Sequence, residues 1–322
     1  MLEGALFLGI DTSNYTTSVA LADEDGNVLL NLKRLLPVKE GERGLRQSDA
    51  LFAHTKNLPV IMQELKAFLD NIEDGAKIAA VGCSATPRDV EGSYMPCFLS
   101  GVAAAETACA VLGCPKYGFS HQNGHVMAAL YSSGKTELLR GKAPFAAFHV
   151  SGGTTELLLV TPKEEGFEIR QIGGSADMNA GQAIDRTGVM MGLRFPCGKE
   201  MESICAGQPY RKGKISVKGL ECNLSGLENL AEKLYRETGD RAATSAFCFD
   251  FIADTLKKLT ENLRDEYPEI PVIFAGGVMS NKRIAARLES LGNVYFSAPE
   301  FSADNAAGIA LLCRNTYFSD NE

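Results

Sequence analysis

The stretch that most constrains this chain is Ala147-Phe-His-Val-Ser-Gly-Gly-Thr-Thr-Glu-Leu-Leu-Leu-Val160. Apolar runs at 147–150 and 157–160 flank a six-residue segment, 151–156, of Ser, Gly, Gly, Thr, Thr and Glu. Runs of that length on either side of glycines predict two paired strands joined by a tight turn. Gly152 and Gly153 are able to take positive φ and bring bare backbone N–H groups up to a ligand. The Ser and Thr hydroxyls add donors, so the turn has the makings of an anion-binding nest. Taken alone, an ordinary hairpin is the commoner explanation, because Gly-Gly turns are frequent. Recurrence of similar turns elsewhere in the chain shifts the balance towards a ligand site.

Near the start, an apolar strand at 6–10 runs into Asp11-Thr-Ser-Asn-Tyr-Thr-Thr-Ser18, and strands at 19–22 and 28–32 follow across the turn Asp25-Gly26-Asn27. An acidic residue at a strand end beside hydroxyls suits a phosphate or metal-phosphate site, which makes Asp11 a candidate. A polar loop in which Asp11 satisfies its own backbone is as good an explanation for these residues alone. Near the other end, a buried strand at 271–275 meets Gly276-Gly-Val-Met-Ser-Asn281 and then a helix at 282–291. A glycine turn between strand and helix fits the rule that ligands sit beyond the carboxyl ends of strands.

Between these turns the periodicity predicts a loop at 37–48 and a helix at 49–69 that Pro59 is expected to kink or split. A strand at 78–84, a mixed-charge loop at 86–96, an alanine-rich helix at 97–112 and a strand at 116–119 come next. Beyond the central hairpin lie a strand at 167–172, a helix from about 179 that carries Asp185, a charged and irregular stretch at 199–240, and an amphipathic helix at 244–263. A strand at 293–296 and a helix at 306–318 close the chain.

Length and charge bound the function. With 322 residues the chain exceeds one typical core, so two lobes are expected. The net charge of −8 argues against a broad basic face for nucleic acid, though it leaves room for a local patch or a basic partner. Nine cysteines without a CxxC pair fit reduced thiols better than a disulfide framework or a zinc ribbon. No signal peptide precedes the first strand and no apolar run reaches ~18 residues, which predicts a cytoplasmic protein with no membrane span.

Four histidines occur, two of them in Ser120-His121-Gln-Asn-Gly-His125. If this segment is helical, His121 and His125 stand at i and i+4 and project from one face. That spacing suits two ligands of a divalent metal such as zinc or iron, but a third is needed and nothing local supplies it. Asp304, before the last helix, is the best candidate, although an N-cap would account for it equally well. His54, alone on its helix, receives no role. Asp185 could accept ribose hydroxyls, and a solvated helix carboxylate is the commoner case.

Glycine- or hydroxyl-rich turns after strands, in two hairpin-led halves, resemble the α/β superfamily of acetate and sugar kinases, Hsp70 and actin (ASKHA). That superfamily's two-lobed fold clamps a nucleotide in a cleft. Within it, six motifs stand in the order of one family: Gly9-Ile-Asp-Thr-Ser13, His121-x-x-x-His125, Val150-Ser-Gly-Gly153, Ala180-Gly-x-Ala-x-Asp185, Gly276-Gly-Val-x-x-Asn281 and Asp304-Asn305. The chain is similar to the tRNA N6-adenosine threonylcarbamoyltransferases (TsaD/Gcp, once called O-sialoglycoprotein endopeptidases) over nearly its whole length. The resemblance implies lobes at 1–117, with 306–322 packing back on it, and 118–305.

By the same resemblance His121, His125 and Asp304 are metal ligands, and Val150, Ser151, Gly152, Gly153 and Thr154 form the substrate loop. Asp185, Gly198 and Asn281 contact an adenylate. The implied ligands are one divalent metal ion, iron or zinc, and an adenine nucleotide or acyl-adenylate. The implied reaction moves threonylcarbamoyl from its adenylate to N6 of the tRNA adenosine adjoining the anticodon, with helper proteins and a homo- or heterodimeric state. No separate catalytic side chain is implied apart from Asp11 as a candidate, and peptidase chemistry has no support. Departures from the family pattern include Asp11-Thr-Ser-Asn-Tyr-Thr-Thr17 for its acidic first turn, Thr154 for a histidine, Asn123 for a glutamate, Cys197 for a glycine, and residues 86–96 for a Gly-Pro-Gly loop. They set a second reading beside the first: a divergent, non-catalytic paralogue that binds metal and adenine nucleotide as a partner or regulator. A kinase-like ATPase is a weaker third.

Overall fold

Continuous burial of its first two strands marks the first sheet. In this computed structural model residues 4–13, 15–37, 45–72, 76–164, 166–303 and 306–321 are described. β1 (Ala5–Asp11), β2 (Thr16–Ala22) and β3 (Val28–Leu35) form a meander in which β2 pairs antiparallel with both of its neighbours. After α1 (Gln47–Leu69) come β4 (Lys77–Thr86), α2 (Phe98–Leu112), β5 (Lys116–Ser120) and α3 (His121–Ser132). β4 joins parallel to β1, and β5 parallel to β4, which gives the order β3-β2-β1-β4-β5. Leu6, Leu8 and Ile10 of β1 pack with Leu58, Ile61 and Leu65 of α1 and Ala105 of α2. Their neighbours in the period of two, Phe7 and Gly9, turn to the other face, where the Phe7 ring packs at a tilt against Tyr317 and Phe318. Both faces of β1 are therefore covered, which is why the strand is apolar throughout.

A short 3-10 turn (Thr136–Leu139) leads to β6 (Phe145–Val150), β7 (Thr155–Pro162), β8 (Phe167–Ser175), α4 (Ala180–Met190), α5 (Gly198–Ile204), β9 (Ser216–Lys218) and β10 (Glu221–Asn223). Next are α6 (Ser225–Thr238), α7 (Arg241–Glu266), β11 (Val272–Ala275), a 3-10 turn (Gly277–Ser280), α8 (Lys282–Glu289), β12 (Val294–Phe296), α9 (Pro299–Ser302) and α10 (Ala307–Ser319). The second sheet has the order β12-β11-β6-β7-β8-β10-β9. Without its β10-β9 extension, that order repeats the first sheet: a hairpin-led meander with two parallel strands added beside its first strand. Phe148, Phe274 and Phe296, adjacent across β6, β11 and β12, stack at centroid distances of 5.0 and 5.3 Å and fix that parallel register.

Contacts divide the chain into one unit of Met1–Leu139, Lys163–Phe167 and Ala303–Glu322, and another of Arg140–Pro162 and Glu168–Ser302. The boundary thus falls after 139 rather than after 117, and α3, with both histidines of the i, i+4 pair, belongs to the first unit. The stretch 199–240 is not irregular: it contains α5, the β9–β10 hairpin and the 14-residue helix α6. Its apolar stripe is narrow, with Leu227 and Ala231 its buried residues, and charges on the other face obscure the period. Pro59 does not split its helix, which runs as one element from 47 to 69. Most of the expected 37–48 loop, residues 38–44, lies outside the described residues. Among the described residues no helix is long and apolar enough to cross a membrane.

Candidate functional site

α3 begins where Ser120 caps it: the Ser120 Oγ accepts from the Asn123 N–H at 3.1 Å and donates to Asn123 Oδ1 at 2.7 Å. Asn123 is thereby turned back onto the cap. One helical turn apart, His121 and His125 share a face as their spacing predicts, with Nε2 atoms 2.8 Å apart. On its other side His121 presents Nδ1 to Asp11 Oδ2 at 3.2 Å. Asp11 is fully buried at the end of β1, and Ser13 donates to it from its hydroxyl at 2.8 Å and from its backbone at 3.2 Å. A carboxylate on Nδ1 fixes the ring and leaves Nε2 as the acceptor, the arrangement that orients metal-bound histidines.

The position of α3 is itself set by glycine. A Cβ at Gly308 would overlap the Gly124 carbonyl oxygen, so α3 and α10 approach backbone to backbone. Thr12, next to Asp11, donates to the Cys97 carbonyl and accepts from the Gly101 N–H, both at 3.0 Å, which ties the end of β1 to the start of α2.

Two imidazole nitrogens that converge on one point are a chemically suitable donor pair for a divalent ion. At 2.8 Å the two Nε2 atoms stand at hydrogen-bond distance, nearer than the roughly 3.3 Å between ligands at about 2.0–2.1 Å in tetrahedral array, so holding an ion requires the two rings to part slightly. Asp304, the third expected ligand, lies outside the described residues. Among the described residues no group of three or more His, Cys, Asp or Glu is arranged to hold a metal ion.

In the second unit, the expected six-residue turn of the central hairpin is a four-residue one, because Val150 already pairs with Thr155. Gly152 and Gly153 do not take positive φ, and a Cβ on either would meet nothing within 4 Å. Nor are the turn's N–H groups all bare: the Ser151 Oγ accepts from Gly153 at 3.2 Å and Thr154 at 3.1 Å. The Thr154 hydroxyl lies 2.8 Å from Ser151 Oγ and 3.3 Å from His149 Nδ1. The turn folds onto the start of α4, where Gly181 donates to the Ser151 carbonyl and Asn179 to that of Gly153. A Cβ on Gly181 would lie 2.7 Å from Gly152, so close approach is required of Gly181 rather than of the turn.

Asp185 projects from α4 and accepts the Cys197 N–H at 2.8 Å, immediately before Gly198 opens α5. Burial raises its pKa above the ordinary carboxylate value, and the Cys197 hydrogen bond opposes that rise. Asn281 is buried and caps α8 by accepting from Ile284 N–H at 3.0 Å. Gly276, at φ +99°, lets β11 end against the carbonyl of Val150. Thus Asp11, His121 and His125 form one cluster; Val150 to Thr154 form another with Gly181 and Gly276; and Asp185 adjoins Gly198.

Sequence reasoning missed the backing of His121 by Asp11 and the bracing roles of Asn179, Gly181 and Gly308. The Ala180-Gly181 pair in the fourth motif was the available signal for one of them. An open apolar groove of about 570 Å³ between α1 and α2, lined by Leu58, Met62, Ala104, Ala108, Val111 and Leu112, includes none of these groups.

Comparison with known proteins bears on fold and family separately. Component A of the Acidaminococcus fermentans (R)-2-hydroxyglutaryl-CoA dehydratase matches at 14% identity and TM-score 0.52, over 97% of this chain and 98% of that one. The activator of the 2-hydroxyisocaproyl-CoA dehydratase from Clostridium difficile, solved with bound ADPNP, matches at 11% identity and TM-score 0.52, over 98% and 97%. HypF of T. kodakarensis matches at 12% identity and TM-score 0.59, over 98% of this chain and 48% of its own. At these identities the likeness is one of fold, and the fold is that of the acetate and sugar kinases, Hsp70 and actin. The family model described as TsaD, tRNA N6-adenosine threonylcarbamoyltransferase, matches residues 40–311. Since that match spans most of the sequence, the chain belongs to the tRNA N6-adenosine threonylcarbamoyltransferase family.

Proposed function

We propose that this protein is a metal-dependent transferase that moves threonylcarbamoyl from its adenylate to N6 of the tRNA adenosine adjoining the anticodon. Family membership supports a role in tRNA modification. The observation that carries the finer reading is the convergence of His121 and His125 at Nε2, with Asp11 behind His121. His121, His125 and Asp304 would hold a divalent ion, iron or zinc, which when bound supplies a Lewis acid for a phosphate or carbonyl oxygen. Asp11, held by Ser13, keeps His121 oriented. The 151–154 turn, pinned to α4 through Asn179 and Gly181, offers hydroxyls and backbone groups to the acyl-adenylate. Asp185, Gly198 and Asn281 would contact its nucleoside part. The attacking amine comes from the RNA, so the chain's contribution is orientation and electrostatic stabilisation rather than a nucleophile.

The second reading, a non-catalytic paralogue that binds metal and adenine nucleotide as a partner or regulator, draws on the occupied groups of the second unit. Ser151 Oγ already takes two turn N–H groups, and Asp185 already accepts from Cys197. One experiment separates the two. Purified wild type, Asp11→Asn and His121→Ala are measured for metal content, adenine-nucleotide binding and threonylcarbamoyl transfer to unmodified tRNA from the synthetic adenylate. The transferase reading expects near one metal per chain and transfer in wild type, loss of both in His121→Ala, and a metal affinity lowered about 10–100-fold in Asp11→Asn. Metal and nucleotide binding without transfer selects the paralogue, and a metal-free wild type sinks both.

A further inference from the structure

We propose that the edge strand β9 and the segment before it form a contact surface for the phosphate backbone of RNA, through Lys212, Lys214 and Lys218. Between residues 203 and 220 the chain has no Asp or Glu but contains Arg211, Lys212, Lys214 and Lys218, within a protein of net charge −8. Exposure alternates along the segment: Lys212, Lys214, Ser216 and Lys218 are exposed, while Gly213, Ile215 and Val217 are half-buried. Ile215 and Val217 pack on the core of the second unit, and a Cβ at Gly213 would lie 2.6 Å from the Phe251 ring. The lysines therefore project from one side, about 6.6 Å apart from 212 to 214 and twice that to 218. That is of the order of the separation between neighbouring phosphates along an RNA strand.

The row is rigidly mounted. Arg283 donates to the Gln208 and Pro209 carbonyls and to buried Asp250, which also accepts the Arg211 N–H. Tyr210 donates to Asp254 and lies under the Arg287 guanidinium at 3.9 Å. At the other end Asn262 of α7 donates to the Gly219 carbonyl at 2.7 Å. With both ends of the segment fixed to the scaffold, little ordering entropy remains to be lost on binding. Among the described residues, no ion pair within 4 Å engages Lys212, Lys214 or Lys218. Glu221 is the cross-strand neighbour of Lys218, while Lys212 and Lys214 precede β9. β9 is the last strand of its sheet, and its edge carries Lys218. Lysines on an edge discourage another strand from pairing there, which favours a polyanion over β-augmentation. RNA is the polyanion that family membership points to, so the inference rests on the tRNA part of the proposed function.

The test is fluorescence-anisotropy titration of the full-length protein with unmodified tRNA between about 50 and 300 mM salt. The variant K212Q/K214Q/K218Q is compared with wild type and with the charge-matched control K66Q/K116Q/K233Q. The expected result is a loss of about 10- to 100-fold in affinity near 0.1 M salt, with a salt slope smaller by about two to three, in the first variant alone. Unchanged affinity and slope in that variant overturn the inference, whether or not it aggregates more readily, as edge guards would dictate. No binding by wild type overturns it as well. Competition by poly-glutamate as effective as by tRNA at equal charge overturns RNA in favour of an acidic protein. Metal content and threonylcarbamoyl transfer, measured on the same preparations, decide the proposed function separately. Lysine-dependent RNA binding without transfer keeps this inference and rejects the transferase.

Discussion

At the scale of single residues, chemistry here depends on which polar atoms are already taken. Asp185 is half-buried with one oxygen on the Cys197 N–H, and desolvation leaves its pKa above the ordinary value. A carboxyl whose folded pKa exceeds its unfolded one, near 3.9, lowers stability as pH rises through that window, and the cost is fully present above the folded pKa. Asp185→Asn keeps an acceptor for Cys197 and removes that cost. Its thermal midpoint is therefore expected to exceed wild type at pH 7, with the difference vanishing as the melts are taken below about pH 4. A lower midpoint at pH 7 would mean that the charge is compensated by a group not named above. Asp11 is the contrasting case: the sequence placed it at a strand end beside hydroxyls, and Ser13 and His121 are the partners it found. Nothing in its local spacing revealed His121, which is 110 positions away in sequence.

At the scale of elements, the segment 208–219 illustrates why part of the second half read as irregular. Its period of two is confined to 212–218 and rests on only two apolar side chains, Ile215 and Val217, and the rest of its order comes from Asp250 and Asp254 on α7 and from Arg283 and Arg287 on α8. Asp250 is 1% exposed and accepts two bonds from Arg283, whose pKa it raises. Truncating one member of such a buried pair strands the other. Asp250→Ala is expected to cost about 3–5 kcal/mol in urea unfolding, and to expose the 208–211 backbone amides to hydrogen exchange. Arg287→Ala, from a pair with 33% and 14% exposed side chains, is expected to cost about 1 kcal/mol or less through the ion pair itself. The helix pair α7 and α8 thus fixes the lysine row, although none of these acidic or arginine side chains belongs to it.

At the scale of the whole molecule, the last helix in sequence completes the first unit. α10 packs on β1, β4 and α3, and its approach depends on Gly9, Gly82, Gly124 and Gly308, where a Cβ would meet facing backbone or side-chain atoms. Gly308→Ala is expected to destabilise the protein by about 1–3 kcal/mol or more. It should also loosen α3 enough to lower metal retention alongside the urea midpoint. Gly153→Ala, at a site with negative φ and no neighbour within 4 Å, is the control expected to leave stability near wild type. Equal loss in both would remove the close-approach argument.

By itself the sequence determined the strand-and-helix order outside 199–240, the paired hairpin-led halves and the i, i+4 face of His121 and His125. Each of these is a local consequence of period, turn chemistry and helix geometry. Only the tertiary structure decided where the units divide, that Asp11 stands behind His121, that Gly181 rather than Gly152 or Gly153 needs its missing side chain, and that α7 and α8 hold the 208–219 segment. Those outcomes depend on contacts between residues tens to hundreds of positions apart. Packing of whole elements brings such residues together, and no local pattern in the chain encodes it.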